Sequence, residues 1–290
     1  MKRLLVALGT FSVLFSNSYA AITVSSDTDT GGWKTIGGNY DYLTDQQTGQ
    51  ASSDIVGGVG GTYNAYDAGF FTNWDAGTAS STDGTLGFRV RLDDKDTNQG
   101  TYKGVLWIGV DADIDGDIDA FMGVDNQGSN QTLGIYAPGN GLNNSPSTTT
   151  ISSTAATSYT VSATNYNYRT VNSATDGGTT NDITTATSGD VDYYLSFTVN
   201  FADVVSFLNT KGISITDASP LRYVLGTATQ HNSLNQDLGN VNGNVNSSTT
   251  WEQLGGFTPT MNATGTVVPE PTAALLGGLG FIALLRRRRN

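Results

Sequence analysis

An all-β fold, an antiparallel β-sandwich of jelly-roll-like form, follows from three observations on the sequence. Apolar residues recur at every second position in Leu86, Phe88, Val90 and Leu92 and again in Tyr193, Leu195, Phe197 and Val199, the spacing that sends successive side chains to opposite faces of a strand. Between the two ends of the chain, one short stretch alone carries good helix signals. Gly, Ser, Thr and Asn fill the intervals, the composition of short strands joined by polar turns. About 245 of the 290 residues lie between the two end segments, long enough for one large sandwich with a substantial core or for two small domains.

The elements follow in order. Lys2 and Arg3 precede an apolar run from Leu4 to Phe15, and Ser18-Tyr19-Ala20 puts small residues where signal peptidase needs them. Residues 1–20 therefore read as an N-terminal signal helix cleaved after Ala20, and the sandwich is expected over residues 21–265. Gly57-Gly58-Val59-Gly60-Gly61 is not a phosphate loop, because no lysine follows it and no strand leads into a helix there. Leu86 to Leu92 reads as a half-buried strand with Arg89 and Arg91 on the face away from the apolar set. Asp93-Asp94-Lys95-Asp96 after it reads as a solvated turn, with glycosidase-type carboxylates as the other reading. Val105 to Val110 is apolar apart from Gly109, as in a central strand covered on both sides, and Ala120 to Val124 answers it across a loop.

Residues 138–190 are dominated by Ser, Thr, Asn and Gly, with Tyr159, Val161, Tyr166 and Tyr168 as the strong β-formers, and read as long loops or a floppy hairpin. Phe201 to Asn209 reads as a short crossover helix, with Asn200 as N-cap, Asp203 in the first turn and Lys211-Gly212 closing it. Leu221 to Ala228 is a late strand. The single histidine, His231, lies in a polar loop with Ser233 and Asp237. A self-bonded loop is one reading and a Ser-His-Asp relay another, although no Gly-x-Ser-x-Gly turn surrounds the serine. Trp107 belongs to the core, whereas Trp33, Trp74 and Trp251 sit in Gly-rich surroundings and could include a sugar-stacking platform.

Charge narrows the function. Six of the 14 basic residues sit at the two extremes of the chain, which leaves residues 21–285 with a net charge near −18. Nucleic acid and anionic lipid are poor partners for such a surface. The acidic residues are aspartates apart from Glu252 and Glu270, and aspartate favours turns and hard-cation loops over helix faces. The absence of cysteine excludes disulfides, thiol catalysis and cysteine-based zinc sites.

One constellation carries metal chemistry. Asp111, Asp113, Asp115 and Asp119 with Gly116 fit Asp-x-Asp-x-Asp-Gly-x-x-Asp, with carboxylates at loop positions 1, 3, 5 and 9 and a glycine at 6 for the sharp turn. Calcium takes six to eight oxygens in flexible geometry, and the position-7 carbonyl, here of Asp117, supplies one more. Met122 stands where an EF-hand has its bidentate glutamate, and the flanks read as strands. The segment resembles the calcium loops set in β-hairpins of integrin-type propeller repeats. That resemblance implies side-chain ligands from Asp111, Asp113, Asp115 and Asp119.

The C-terminus gives an address. Val268-Pro269-Glu270-Pro271 is followed by a short apolar segment, residues 272–285, and by Arg286, Arg287, Arg288 and Arg289. The prolines bar a helix until about Thr272, and 14 residues at about 1.5 Å each give roughly 21 Å, short of the roughly 30 Å hydrocarbon core. Such a marginal transmembrane helix, with arginines held on the cytoplasmic side, suits a temporary anchor. Residues 266–290 resemble the PEP-CTERM sorting signal of exported bacterial proteins. The resemblance implies an exosortase-type enzyme as partner, besides signal peptidase at the other end.

The function expected is that of an exported, non-enzymatic structural or adhesive protein of the envelope or extracellular matrix, stabilised by calcium. Two other classes stay open: a carbohydrate-binding module for exopolysaccharide, and a calcium-dependent glycan hydrolase or lyase using Asp94 and Asp96.

Overall fold

The computed structural model describes residues 21–36, 51–58, 62–78, 80–94, 101–128, 131–183 and 191–269. The signal segment 1–20, Lys95 and Asp96, Gly60 and Gly61, Glu270, Pro271 and the whole apolar and basic tail lie outside them. Among the described residues ten strands, β1 (Lys34–Thr35), β2 (Phe70–Asp75), β3 (Thr85–Leu92), β4 (Val105–Asp111), β5 (Ala120–Asp125), β6 (Thr132–Pro138), β7 (Ile151–Tyr159), β8 (Tyr166–Thr170), β9 (Tyr193–Asn200) and β10 (Arg222–Ala228), form two antiparallel sheets. Their orders are β1-β2-β3-β9-β8 and β10-β4-β5-β6-β7. Where a jelly roll passes most successive strands from sheet to sheet, β4 to β7 stay together as a meander, and β10 returns to close it beside β4.

The sheets face one another across a shared core. From one come Leu86, Phe88, Val90, Leu195 and Phe197, and from the other Leu106, Ile108, Met122, Val124, Ile135, Tyr223 and Leu225, all buried. Phe88 meets Tyr223 edge-on across the gap, with ring centroids 5.5 Å apart. The period-two spacing therefore did place the right side chains inward.

Both sheets are covered on their outer faces as well, which changes the reading of β3. Arg89 and Arg91 do point away from the apolar set, but both are fully buried. Residues 22–33 and the neighbourhood of α1 (Ser173–Asp176) lie over them. Arg89 donates to Thr28 Oγ1, Ser196 Oγ and the carbonyls of Val24 and Ser26, and its guanidinium stacks on Trp33 at 4.1 Å. Burial pushes its pKa down to about 9, still charged at neutral pH. Arg91 is held between Asp192 and Asp67. On the other sheet, β4 is buried at every position, as its continuous apolar run requires, with Trp107 on its outer face under Leu234, Leu238, Val241 and Trp251.

Residues 138–183 are more regular than their composition implies. Ile151–Tyr159 and Tyr166–Thr170 are strands that close opposite sheets as edges. β7 pairs with β6 through two register shifts, and most of its side chains are exposed or half-buried, so Ser and Thr suffice where one face meets water. The crossover helix is α2 (Phe201–Thr210), capped at Lys211 with Gly212 at φ +84°. Asn200 occupies the N-cap, but its side chain turns to Asp203 instead of capping the backbone. A further short helix, α3 (Trp251–Leu254), has Thr250 and Gln253 as a capping box. Among the described residues no helix is long and apolar enough to cross a membrane.

Candidate metal centre

Strand β4 ends at Asp111 and β5 begins at Ala120, so the acidic run forms the turn of one hairpin. Asp111 organises it. Its Oδ1 accepts the Ile114 N–H at 2.7 Å and its Oδ2 accepts the Gly116 N–H at 3.0 Å, while Asp115 Oδ1 accepts the Asp117 N–H at 2.9 Å. These bonds curl the backbone around the carboxylates. Gly116 sits at φ +98°, and a Cβ there would meet Arg222 Nη2 at 3.9 Å, an ordinary contact, so the glycine serves the backbone angle and not the packing. Ile114 has φ +65°, a conformation that strains a β-branched residue by about 1–3 kcal/mol and is typical of ligand loops.

Among the described residues two groups of three carboxylates could hold a metal ion: Asp111, Asp113 and Asp115 in this turn, and Asp93, Asp182 and Asp192 elsewhere. In each, one oxygen per residue lies within 4.8 Å of the others. Asp117 and Asp119 stand outside the first group. Asp119 Oδ2 accepts the Ala112 N–H at 2.8 Å, closing the base of the loop. Burial, and then the neighbouring carboxylates, raise Asp113 and Asp117 above the usual aspartate range; burial takes Asp119 to about 6. Arg222 of β10 offsets one charge. It donates to Asp111 Oδ2 at 2.8 Å, reaches Glu252 at 2.7 Å and stacks on Phe257 at 4.1 Å.

Neither Arg222 nor the second carboxylate group was legible locally. Asp182 and Asp192 lie 89 and 99 residues beyond Asp93, and only tertiary pairing brings them together. Asp93 itself is buried and not part of a solvated turn. Asp94 is half-buried, with its carbonyl accepting the Tyr168 hydroxyl.

The Ser233, His231, Asp237 relay does not form. His231 Nδ1 lies 2.8 Å from Asp125 and its Nε2 donates to the Ser152 carbonyl at 2.9 Å. Ser233 donates to Gln230, and Asp237 accepts the backbone N–H groups of Ile55 and Leu238. Both neighbours of the imidazole are acceptors, which favours the doubly protonated ring and raises its pKa above 6.5, mainly through the Asp125 bond. A raised folded value means that this contribution to stability is fully present below pH 6.5 and is lost as pH rises through the folded value. The melting-temperature gap between the parent and His231→Gln should therefore be widest in mild acid and narrow towards alkaline pH. A gap independent of pH would contradict the charged pair.

Of the tryptophans, Trp33, Trp107 and Trp251 are buried and cannot serve as platforms. Trp74 is half-buried, edge-on to Phe201, and lines a cleft of about 790 Å³ with Ser26, Lys34, Asn73, Asp217 and Thr264. At the C-terminal limit of the described chain, the Val268 N–H bonds to the Thr260 carbonyl and Pro269 is exposed. Comparison with protein-family models, with curated proteins and with solved structures yields no match.

Proposed function

We propose that this chain is an exported envelope or extracellular-matrix protein, a non-enzymatic structural or adhesive β-sandwich stabilised by calcium in the 111–119 turn. Signal peptidase processes its N-terminus. An exosortase-type enzyme handles its PEP-CTERM-like tail after transient insertion in the inner membrane. The observation that carries the reading is the convergence of the Asp111, Asp113 and Asp115 carboxylates around a glycine turn at a strand end. Hard oxygen donors of this kind suit calcium, and an ion there would take the place of the disulfides that a cysteine-free exported chain lacks.

The address is tested by cell fractionation. The parent should reach the envelope or the medium, whereas a chain with Pro269→Ala, Pro271→Ala and the four arginines changed to alanine should stay with the inner membrane. A parent confined to the cytoplasm would overturn the reading.

The Trp74 cleft supports a second reading, recognition of exopolysaccharide, because an indole beside amide, hydroxyl and charged groups is suited to a sugar ring. Polysaccharide should then shift tryptophan fluorescence in the parent and not in Trp74→Ala. No shift in the parent removes this alternative.

A further inference from the structure

We propose a second, buried site for a hard divalent cation such as calcium, formed by Asp93, Asp182 and Asp192. It is independent of the hairpin turn. Strands β3 and β9 pair with Leu92 opposite Tyr193, so Asp93, directly after β3, and Asp192, directly before β9, stand at the same end of one strand pair. Asp182 is brought in from the segment after α1, which is docked by the Asp192 N–H on the Asn181 carbonyl at 2.9 Å and the Ile183 N–H on Asp192 Oδ2 at 3.1 Å. One oxygen from each residue lies within 4.8 Å of the other two. Three hard carboxylate donors suit calcium, which takes oxygen ligands at about 2.4 Å in flexible geometry.

A further observation points to a ligand. Asp192 is fully buried, and its Oδ2 is committed to Arg91 and Ile183, but its Oδ1 accepts no hydrogen bond from the protein. Asp93 beside it is 4 % exposed, and a divalent ion would supply the missing partner for Oδ1 in this buried setting. It would clamp three distant parts of the chain, the ends of β3 and β9 and the segment after α1.

The test is calcium stoichiometry, by titration calorimetry and native mass spectrometry, on the full chain. The parent should bind two ions, and a chain with Asp113→Ala and Asp115→Ala should retain one. Asp182→Asn, at a half-buried position that should tolerate it, should lose one ion or bind it at least tenfold more weakly, with Asp93→Asn as the second variant. If the Asp113→Ala, Asp115→Ala chain binds no calcium, the proposal is overturned; so it is if folded Asp182→Asn and Asp93→Asn bind as the parent does. One ion that survives Asp113→Ala, Asp115→Ala and disappears in Asp182→Asn would uphold this site while removing the hairpin one.

Discussion

Calcium at 100-fold above its dissociation constant is expected to raise the melting temperature of the chain by about 5–10 °C, and EDTA to reverse the rise. The gain from one site at that excess is about 2.7 kcal/mol, and each kcal/mol moves the transition of a domain this size by about 2–4 °C. The physical source is repulsion relieved. Carboxylates within 4.8 Å of one another oppose each other by about 1 kcal/mol per pair even in water, and Ile114 holds a strained backbone angle to bring them there. Asp113→Ala with Asp115→Ala should abolish the response to the hairpin ion and, in EDTA, melt no lower than the parent, because it removes like charges. Identical melting curves for the parent in EDTA and in calcium would reduce the turn to a solvated acidic loop.

Arg89→Met should cost about 3 kcal/mol or more, a fall of roughly 6–12 °C. Methionine fills much of the volume but donates nothing, so the Val24 carbonyl and the hydroxyls of Thr28 and Ser196 lose the guanidinium as donor, and the Ser26 carbonyl keeps only Arg169. Each buried acceptor left alone costs about 1–3 kcal/mol. Because two of the four acceptors belong to the backbone of residues 24–26, this segment should detach first. Limited proteolysis of the variant should cut within residues 21–33 before any strand of either sheet is attacked. Parent-like protease resistance would show that the segment is held without the Arg89 bonds, by contacts such as the Thr28 N–H on Asp176 and the burial of Trp33 and Val24.

These two sites also mark how far the sequence could be read. The inward faces of β3, β4 and β9 were legible because burial on one or both faces leaves a period of two or a continuous run in Leu86, Val105 and their neighbours. The acidic turn was legible because its would-be ligands are consecutive. Arg89 and Arg91 were not legible as buried, since nothing in residues 86–92 announces a third layer supplied by residues 22–33 and 173–183. Edge strands β7 and β8 escaped for the opposite reason: with one face in water, their Ser, Thr and Asn residues look like loop. The second carboxylate group depends wholly on tertiary pairing. Asp93, Asp182 and Asp192 have no spacing to recognise.

Ala21 and Thr264 line the same cleft, and Lys34 bonds the Thr264 carbonyl while Met261 pairs with Leu221. The two ends of the folded body are thus neighbours, and a load applied between them is borne by a few contacts at one corner, in peeling geometry. Tension on the tail would strip residues 258–268 from Lys34 and Leu221 one bond at a time. The long ladders of β3 with β9 and β4 with β5 would stay out of the line of force, so a tethered molecule would yield at its root and keep its sandwich whole.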